Sequence, residues 1–134
     1  MIRDERARVV VVWTTLPGDT DPAPFARALV DERLAACVTT ETGAQSVYRW
    51  RERIEEATEH QLTIKTTVRC LERLERRVTD MHPYDVPEFL VVPAVDGSRA
   101  YLDWVAESTS VLGSHREPDR GASLEQPKDN ESTD

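Results

Sequence analysis

The sequence has an excess of acidic residues and almost no lysine. Its 17 basic residues stand against 25 acidic ones, which gives a formal net charge of −8. Nearly all the basic residues are arginines, because Lys65 and Lys128 are the only lysines. A surface that binds nucleic acid needs a basic stripe to neutralise phosphates. The composition therefore argues against a nucleic acid partner.

A long apolar run is also missing. The apolar stretch that ends before Thr14 is only five residues long. That is too short for the core of a signal peptide or for a membrane span. We therefore expect a cytoplasmic protein with no membrane partner.

Cysteine is scarce, with Cys37 and Cys70 as its two occurrences. They do not have the spacing of metal ligands, and a reducing compartment disfavours a disulfide. We expect both to be small, buried, apolar side chains.

Catalytic motifs are absent from the sequence. It has no nucleophile with a recognisable base, no paired carboxylates at a diagnostic spacing and no glycine-rich phosphate loop. The first loop, "LPGDTDP", contains acidic residues that would repel a phosphate. We expect that the protein is not an enzyme.

The composition changes towards the end of the chain. Residues 110–134 are rich in Ser, Pro, Gly, Asp and Glu, and such a segment buries too little apolar surface to offset its ordering entropy. The sequence predicts one domain over residues 7–109 and a disordered acidic tail over residues 110–134.

The first half of the domain predicts a strand followed by a helix. The continuous β-branched run Val9–Trp13 is typical of a central strand that is buried on both faces. Asp21 is a plausible N-cap with Pro22 at the first helical position. Apolar residues then recur at helical spacing from Phe25 to Leu34.

The second half predicts a helix, a short strand and a last helix. The apolar stripe from Leu71 to Met81 has helical spacing, and Pro83 ends that helix. The run "FLVVPAV" predicts a strand in which Pro93 marks a bulge or an edge. Ser98 begins the C-terminal helix.

Between these halves lies a long hairpin with a bend at Gly43. Its arms, residues 37–50 and 52–67, are about twice the usual strand length of 5–6 residues. Arms of that length leave unpaired backbone groups, and the simplest cover is another copy of the chain. The hairpin therefore predicts a homo-oligomer, with Tyr48 and Trp50 buried at or beside the contact.

The order of these elements predicts an α+β fold. Strand, helix, strand, strand, helix and strand form the split βαβ arrangement, in which helices lie on one face of a four-stranded antiparallel sheet. A C-terminal helix is added to it.

Five segments together carry a resemblance to a known family. In order and spacing the chain resembles the CutA divalent-cation-tolerance family over residues 9–107, in the segments "DERLAACV", "SVYRWRERIEE", "IKTTV", "HPYDVPE" and "YLDWV". The resemblance implies a ferredoxin-like βαββαβ subunit and a homotrimer that assembles through the long hairpin. It also implies a shape similar to that of the PII signalling proteins.

The resemblance implies divalent metal binding as well, with copper in some members. Copper-binding members use a cysteine near the end of the first strand and a pair of histidines before "PY". Here Thr14 stands at the cysteine position, and Met81 and His82 stand at the histidine pair. His82 is the candidate ligand for copper or another divalent cation, with Asp85 or Glu88 to complete a weak site. The alternative is that His82 caps a helix C-terminus. No metal or other cofactor is expected to be required for folding.

A further set of polar and aromatic residues matches the cleft between subunits in that family. Its members are expected to pack an interface or to hold a small anionic or polar ligand, with the Lys65 ammonium as the first group to test. The set comprises Tyr48, Trp50, Glu59, Gln61, Lys65, Tyr84 and Glu88.

Three functions remain open at this point. The first is a trimeric divalent-cation-tolerance protein that binds divalent metal weakly. The second is a PII-like trimeric regulator with sites for a small ligand in the clefts between subunits. The third is a stable scaffold that recruits an unknown protein partner.

Overall fold

The computed structural model describes residues 5–110, which form a single four-stranded sheet with three α-helices. The sheet order is β2–β3–β1–β4, and all neighbouring strands are antiparallel. This order confirms the predicted α+β, ferredoxin-like arrangement with a long hairpin and a C-terminal helix. The elements are β1 (Val9–Pro17), α1 (Pro22–Asp31), β2 (Cys37–Trp50), β3 (Arg53–Thr67), α2 (Leu71–Met81), β4 (Leu90–Pro93) and α3 (Arg99–Ser108), with short 3-10 helices at Glu5–Ala7 and Val68–Cys70.

The start of α1 follows the sequence, but its end comes earlier than predicted. Asp21 Oδ1 accepts a hydrogen bond from the backbone N–H of Ala23 at 3.0 Å, and Pro22 is the first helical residue. Arg33 then adopts a left-handed conformation with φ of 61°, which ends the helix before Leu34. Leu34 is nevertheless buried in the core. Its apolar character therefore reflects burial and does not show that the helix extends to this residue.

The main core lies between one face of the sheet and the pair α1 and α2. Alternate residues of β1 and β3 point to that face, and the helices supply leucine and valine side chains. These contacts remove the apolar face of each helix from water, which is the main stabilising contribution to the fold. The fully buried members include Val12, Leu29, Leu62, Ile64, Leu74 and Val78.

Helix α3 lies on the opposite face of the sheet. Lys65 points away from the face of its neighbour Ile64, and Lys65 Nζ lies 5.6 Å from the centroid of the Tyr101 ring in α3. Thr67 Oγ1 is 3.3 Å from Thr109 Oγ1 just after α3. The prediction that the two helices of the split βαβ unit lie on one face is therefore confirmed, while the added C-terminal helix, for which the sequence predicted no face, lies on the other.

The strand β1 is buried on both faces for only part of its length. Val10 and Val12 are buried, the valines that alternate with them are half-buried, and Trp13 is 39% exposed. The prediction of burial on both faces is thus wrong at Trp13, since α3 is a ten-residue helix and does not cover that part of β1 in the single chain.

The long hairpin is shaped by two local features. Arg51 and Glu52 join its arms with φ of 51° and 68°, and two positive values of φ match the right-handed twist of the strands. The strand register shifts between Glu41 and Ala44, where Gly43 has φ of 80°. The predicted bend at Gly43 is confirmed as a β-bulge.

The two edges of the sheet are β2 and β4. All four residues of β4 are exposed, although three of them are apolar. Pro93 ends this edge strand, as predicted, because an edge tolerates a missing donor. Both edges therefore offer unpaired backbone groups next to exposed apolar side chains.

Within residues 5–110, no helix has the length and apolar character needed to cross a membrane. The predicted tail, residues 110–134, lies outside the described residues beyond Ser110. The tail and the domain boundary at residue 109 remain predictions.

Candidate functional site

A cavity of about 480 Å³ lies between the hairpin and the loop that connects α2 to β4. Its lining contains aromatic rings, carboxylates and hydroxyl groups, and among residues 5–110 no lysine, arginine or histidine contributes to it. We call this cavity the acidic cleft. It is lined by Thr15, Ser46, Tyr48, Trp50, Glu59, Pro83, Tyr84, Asp85, Val86 and Glu88.

Strand alternation explains the hairpin side of the acidic cleft. Ser46, Tyr48 and Trp50 are two residues apart on β2, so their side chains leave the strand on the same face. Glu59 belongs to that face as well, because its Cα pairs with that of Ala44. The other wall comes from the short segment between α2 and β4, where two prolines prevent continuation of the helix.

Glu59 is the most enclosed polar group of the acidic cleft, at 5% exposure. Its Oε1 accepts a hydrogen bond from Ser46 Oγ at 2.7 Å. Its Oε2 accepts from Tyr84 Oη at 2.8 Å and from Thr15 Oγ1 at 3.4 Å. Three hydroxyl donors without a basic partner hold the carboxylate in one orientation, as buried charged groups require.

This arrangement shifts the pKa of Tyr84. Burial, the hydrogen bond to Glu59 and the negative charge of Glu59 together raise the pKa of the Tyr84 phenol to about 12. The phenol therefore stays protonated at neutral pH and serves as a hydrogen-bond donor. It fastens the α2–β4 loop to the hairpin.

The pKa of Glu88 is raised for a related reason. Burial first, and then the negative charge of Glu59, raise the pKa of the Glu88 carboxyl above its ordinary value of 4.5. With Asp85, three carboxyl groups thus share one cavity, and no basic side chain from residues 5–110 lines it. A bound cation would relieve both the repulsion and the desolvation.

His82 uses both of its ring nitrogens inside the chain. The ring is buried, and Nε2 lies 2.5 Å from the Thr15 carbonyl oxygen. Since a carbonyl oxygen only accepts, Nε2 carries the hydrogen. Nδ1 accepts a hydrogen bond from the backbone N–H of Tyr84 at 3.1 Å. A metal ion at His82 would have to break one of these hydrogen bonds.

The reason for this role of His82 lies in the sheet. Strand β4 pairs with β1 only from Val10 to Trp13, so the carbonyl of Thr15 lies beyond the paired segment. His82, at the C-cap of α2, donates a hydrogen bond from Nε2 to that carbonyl oxygen.

The other two positions implied for copper do not line the acidic cleft. Thr14 is fully buried on the core face of β1, and its hydroxyl has no hydrogen-bond partner among the described residues. Met81 packs against the hydrophobic core, as its place in the stripe of α2 predicts. In residues 5–110, no group of three or more His, Cys, Asp or Glu residues is arranged to hold a metal ion. Copper binding by these donors does not fit the structure.

The structure brings together five of the seven residues predicted for the cleft and separates two. Gln61 Nε2 donates to the Thr14 carbonyl oxygen at 3.4 Å, and Lys65 lies near the far end of β3 against Tyr101. Neither lines the acidic cleft. Without Lys65, the cleft presents no cationic group to the anionic ligand that was considered from the sequence. The five that come together are Tyr48, Trp50, Glu59, Tyr84 and Glu88.

Two hydroxyl donors to Glu59 were missed from the sequence. Ser46 alternates in phase with Tyr48 and Trp50, and that spacing was the available signal. Thr15 carried no comparable signal, because its place beside Glu59 depends on the pairing of β1 with β3.

Comparison with known proteins identifies the family of the chain. The family model described as "CutA1 divalent ion tolerance protein" matches residues 10–108. A divalent-cation tolerance protein CutA from Thermus thermophilus is 44% identical over 99 residues, which cover 74% of this chain and 96% of that protein. "Protein CutA, chloroplastic" from Arabidopsis thaliana is 40% identical over 100 residues. The aligned residues cover 75% of this chain and 55% of that protein.

Solved structures give the same result. The crystal structure of CutA1 from Oryza sativa has a TM-score of 0.75 at 34% identity and covers 81% of this chain and 99% of its own. The structure of the divalent cation tolerance protein from Thermus thermophilus has a TM-score of 0.73 at 43% identity. The match covers 76% of this chain and 99% of that chain. This chain belongs to the CutA1 divalent ion tolerance family.

Proposed function

We propose that the protein is a homotrimer that contributes to divalent-cation tolerance by binding a divalent cation weakly in the acidic cleft. Its role is binding and not catalysis, and its location is the cytoplasm. The names of the relatives support the family role. The observation that carries the site is the pair Glu59 and Glu88, which share one cavity that no basic side chain of the described part of the chain lines.

The donors of the acidic cleft favour a hard cation. Asp85 and Glu88 offer carboxylate oxygens, which suit Mn²⁺, Mg²⁺ and Ca²⁺ better than copper. They are only two donors, since no group of three or more His, Cys, Asp or Glu among residues 5–110 is arranged around a metal ion. Glu59 is already saturated with hydroxyl donors, so the ion retains water and binds weakly. The expected ligand is thus a partly hydrated divalent cation, held by Glu88 and Asp85 in the field of Glu59.

The sheet edges support a closed oligomer. On β2, Val47 is 66% exposed, and on β4, Leu90 is 56% exposed. A contact between two different edges is heterologous, and such contacts generate rings when the rotation closes. Edge pairing would cover both strands at once, and the resemblance described above supplies the number three.

A calorimetric titration of the full-length protein tests the metal site. We expect Mn²⁺ to bind the parent protein and Glu88→Gln to weaken binding by about tenfold or more, equivalent to at least about 1.4 kcal/mol. The matched control is Glu75→Gln, an exposed residue of α2 that makes the same charge change away from the cleft. Equal affinities of the parent and Glu88→Gln proteins would refute a carboxylate site at the acidic cleft.

A regulator that binds a small ligand is the second candidate. The cavity of about 480 Å³ falls within the range of roughly 300–1,000 Å³ that small-molecule sites occupy. One metal ion does not fill such a volume, and the aromatic part of the lining has no role in binding a hard cation.

A further inference from the structure

A groove of about 460 Å³ lies between α1 and the first residues of β2. Val30 is 42% exposed there although its side chain is apolar, and Val38 packs partly against the hydrophobic core. Within one chain, therefore, α1 and β2 leave an apolar strip uncovered. We call it the α1–β2 groove, and it is lined by Ala23, Ala26, Arg27, Val30, Asp31 and Val38.

The α1–β2 groove runs beside an unpaired strand edge. Val38 is paired with Ile64 of β3 on one side, and no strand of residues 5–110 lies on the other side of β2. Because Ile64 belongs to the core, its partner Val38 also points to the face of the sheet that carries α1 and α2. A strand added to this edge would place its own side chains on that face next to α1. Whatever pairs with β2 therefore also fills the groove.

The edge strand β4 has the side chains that such a contact needs. The Cα atoms of Val91 and Pro93 are paired with those of Val12 and Val10, which belong to the core. Val91 and Pro93 therefore lie on the same face as α1 and α2. Val91 is 40% exposed there, and Val95, just after the strand, is 98% exposed. Two valines at this edge thus lack cover within one chain.

The direction of the strands allows β4 of a second copy to pair with β2. Since all neighbouring strands of the sheet are antiparallel, β2 and β4 run in opposite directions. Copies related by rotation about an axis along the strands keep these directions, so the partner's β4 meets β2 as an antiparallel neighbour. A chain cannot fill its own groove in this way, because β3 and β1 separate β4 from β2 by roughly 14 Å, at about 4.8 Å per strand.

We infer that the α1–β2 groove is a docking site for a second copy of this chain, filled by the partner's Val91 and Val95 when the partner's β4 pairs with β2. Each copy offers one groove and one β4, so a closed ring uses every groove once. The inference rests on the homotrimer of the proposed function. It adds that α1 takes part in the contact, with Val30 removed from water on assembly.

Cross-linking of the full-length protein tests this inference. Val30→Cys and Val91→Cys are combined in one chain that also carries Cys37→Ser, so that Cys70, which is buried, is the remaining native thiol. We expect a short bifunctional thiol reagent to join these chains into covalent dimers and trimers on a denaturing gel. The matched control has Glu75→Cys, at an exposed position of α2, in place of Val30→Cys and should stay monomeric on that gel.

A bulky side chain in the groove gives an independent readout. Ala26→Trp should raise the dissociation constant of the trimer about tenfold or more, equivalent to at least about 1.4 kcal/mol, as measured by light scattering on dilution. Glu75→Trp is the control and should assemble as the parent protein does. If Ala26→Trp fails to fold, the cross-linking experiment decides alone.

The outcomes separate this contact from the trimer itself. A trimeric parent protein whose Val30→Cys/Val91→Cys variant is not joined between chains would overturn the inference and leave the proposed trimer in place. An Ala26→Trp trimer as stable as that of the parent would also overturn it, because the groove would then lie outside the contact. A parent protein that is monomeric in light scattering would contradict the homotrimer and the inference together.

Discussion

Tyr84 and Glu59 are joined by a hydrogen bond of 2.8 Å from the phenol to the carboxylate. This single contact ties the α2–β4 loop to the middle of the long hairpin, and so fixes the two walls of the acidic cleft relative to each other. Because the acceptor is a buried charged group, the bond is stronger than one between neutral partners.

Removal of this bond should destabilise the protein. For Tyr84→Phe we expect a loss of about 1.5–3 kcal/mol in the free energy of unfolding, the usual contribution of a hydrogen bond to a charged group. Guanidinium denaturation at one fixed protein concentration measures it. Tyr101→Phe is the control, since Tyr101 contacts Lys65 with its ring and not through a bond to Glu59. Equal losses in the two variants would contradict a special role for the Tyr84 hydroxyl.

The raised pKa of Tyr84 gives a prediction at alkaline pH. The phenol ionises at about 12 in the folded chain instead of its ordinary 10.0. The unfolded chain therefore loses this proton first, and stability that is fully present below pH 10 is lost as the pH rises towards 12. Tyr84→Phe should show a smaller loss over this interval. Titration of phenolate absorbance should find one tyrosine fewer with a high pKa in that variant.

The raised pKa of Glu88 gives a prediction of the same sign at lower pH. Its pKa is raised by burial and by Glu59, so the folded chain holds the proton more tightly than the unfolded chain. The contribution of this group to stability is present below its ordinary pKa of 4.5 and is lost as pH rises through the higher folded value. Glu88→Gln should therefore be more stable than the parent protein at pH 7 without added cations.

That advantage should vanish on acidification. Thermal unfolding at pH 7 and near pH 4 measures both differences. A Glu88→Gln protein that is less stable than its parent at pH 7 would show that Glu88 makes favourable contacts which outweigh the repulsion from Glu59.

His82 is expected to be important for stability and not for copper binding. His82→Ala leaves the Thr15 carbonyl and the Tyr84 N–H without a partner. The loss should be about 2–6 kcal/mol, from two buried groups at roughly 1–3 kcal/mol each. His60→Ala is the comparison and should cost less, since His60 Nδ1 has no hydrogen-bond partner in the described part of the chain.

A copper titration completes the test of His82. Affinity for Cu²⁺ should be equal in the parent protein and His82→Ala, provided that both are folded by circular dichroism. Weaker copper binding in the variant would restore His82 as a ligand.

The exposed edges predict how the proposed trimer can be broken. Val47→Lys on β2 or Leu90→Lys on β4 places a charge within the proposed contact, where charged groups oppose edge pairing. Each should shift the protein from trimer to monomer in light scattering. Glu75→Lys, on the exposed side of α2, should leave the trimer intact. Trimers in both edge variants would exclude these edges as the interface.

Local signals in the sequence predicted most of the fold. The N-cap at Asp21, the stripe from Leu71 to Met81 and the edge proline all depend on neighbours within a few residues. Ser98 also caps α3 as predicted, since its Oγ accepts from the Tyr101 N–H at 3.3 Å. Such local patterns survive folding because tertiary contacts reinforce them.

The acidic cleft was predicted less well, since it depends on contacts between distant segments. Glu59 and Lys65 lie an even number of residues apart on β3 and so share one face, but the faces of a strand carry no information on what covers each end. Helix α3 covers Lys65, while the α2–β4 loop covers Glu59. Likewise, the hydrogen bond between His82 and the Thr15 carbonyl depends on where β4 stops pairing with β1, which the sequence pattern does not reveal.

The most direct test of a cation site in the acidic cleft is paramagnetic broadening of amide NMR signals by Mn²⁺ in the full-length protein. A site there predicts selective broadening of the amides of Tyr84, Asp85 and Glu88 and of the Trp50 indole, and its loss in Glu88→Gln. Broadening confined to other parts of the chain, or unchanged in Glu88→Gln, would contradict the proposed site.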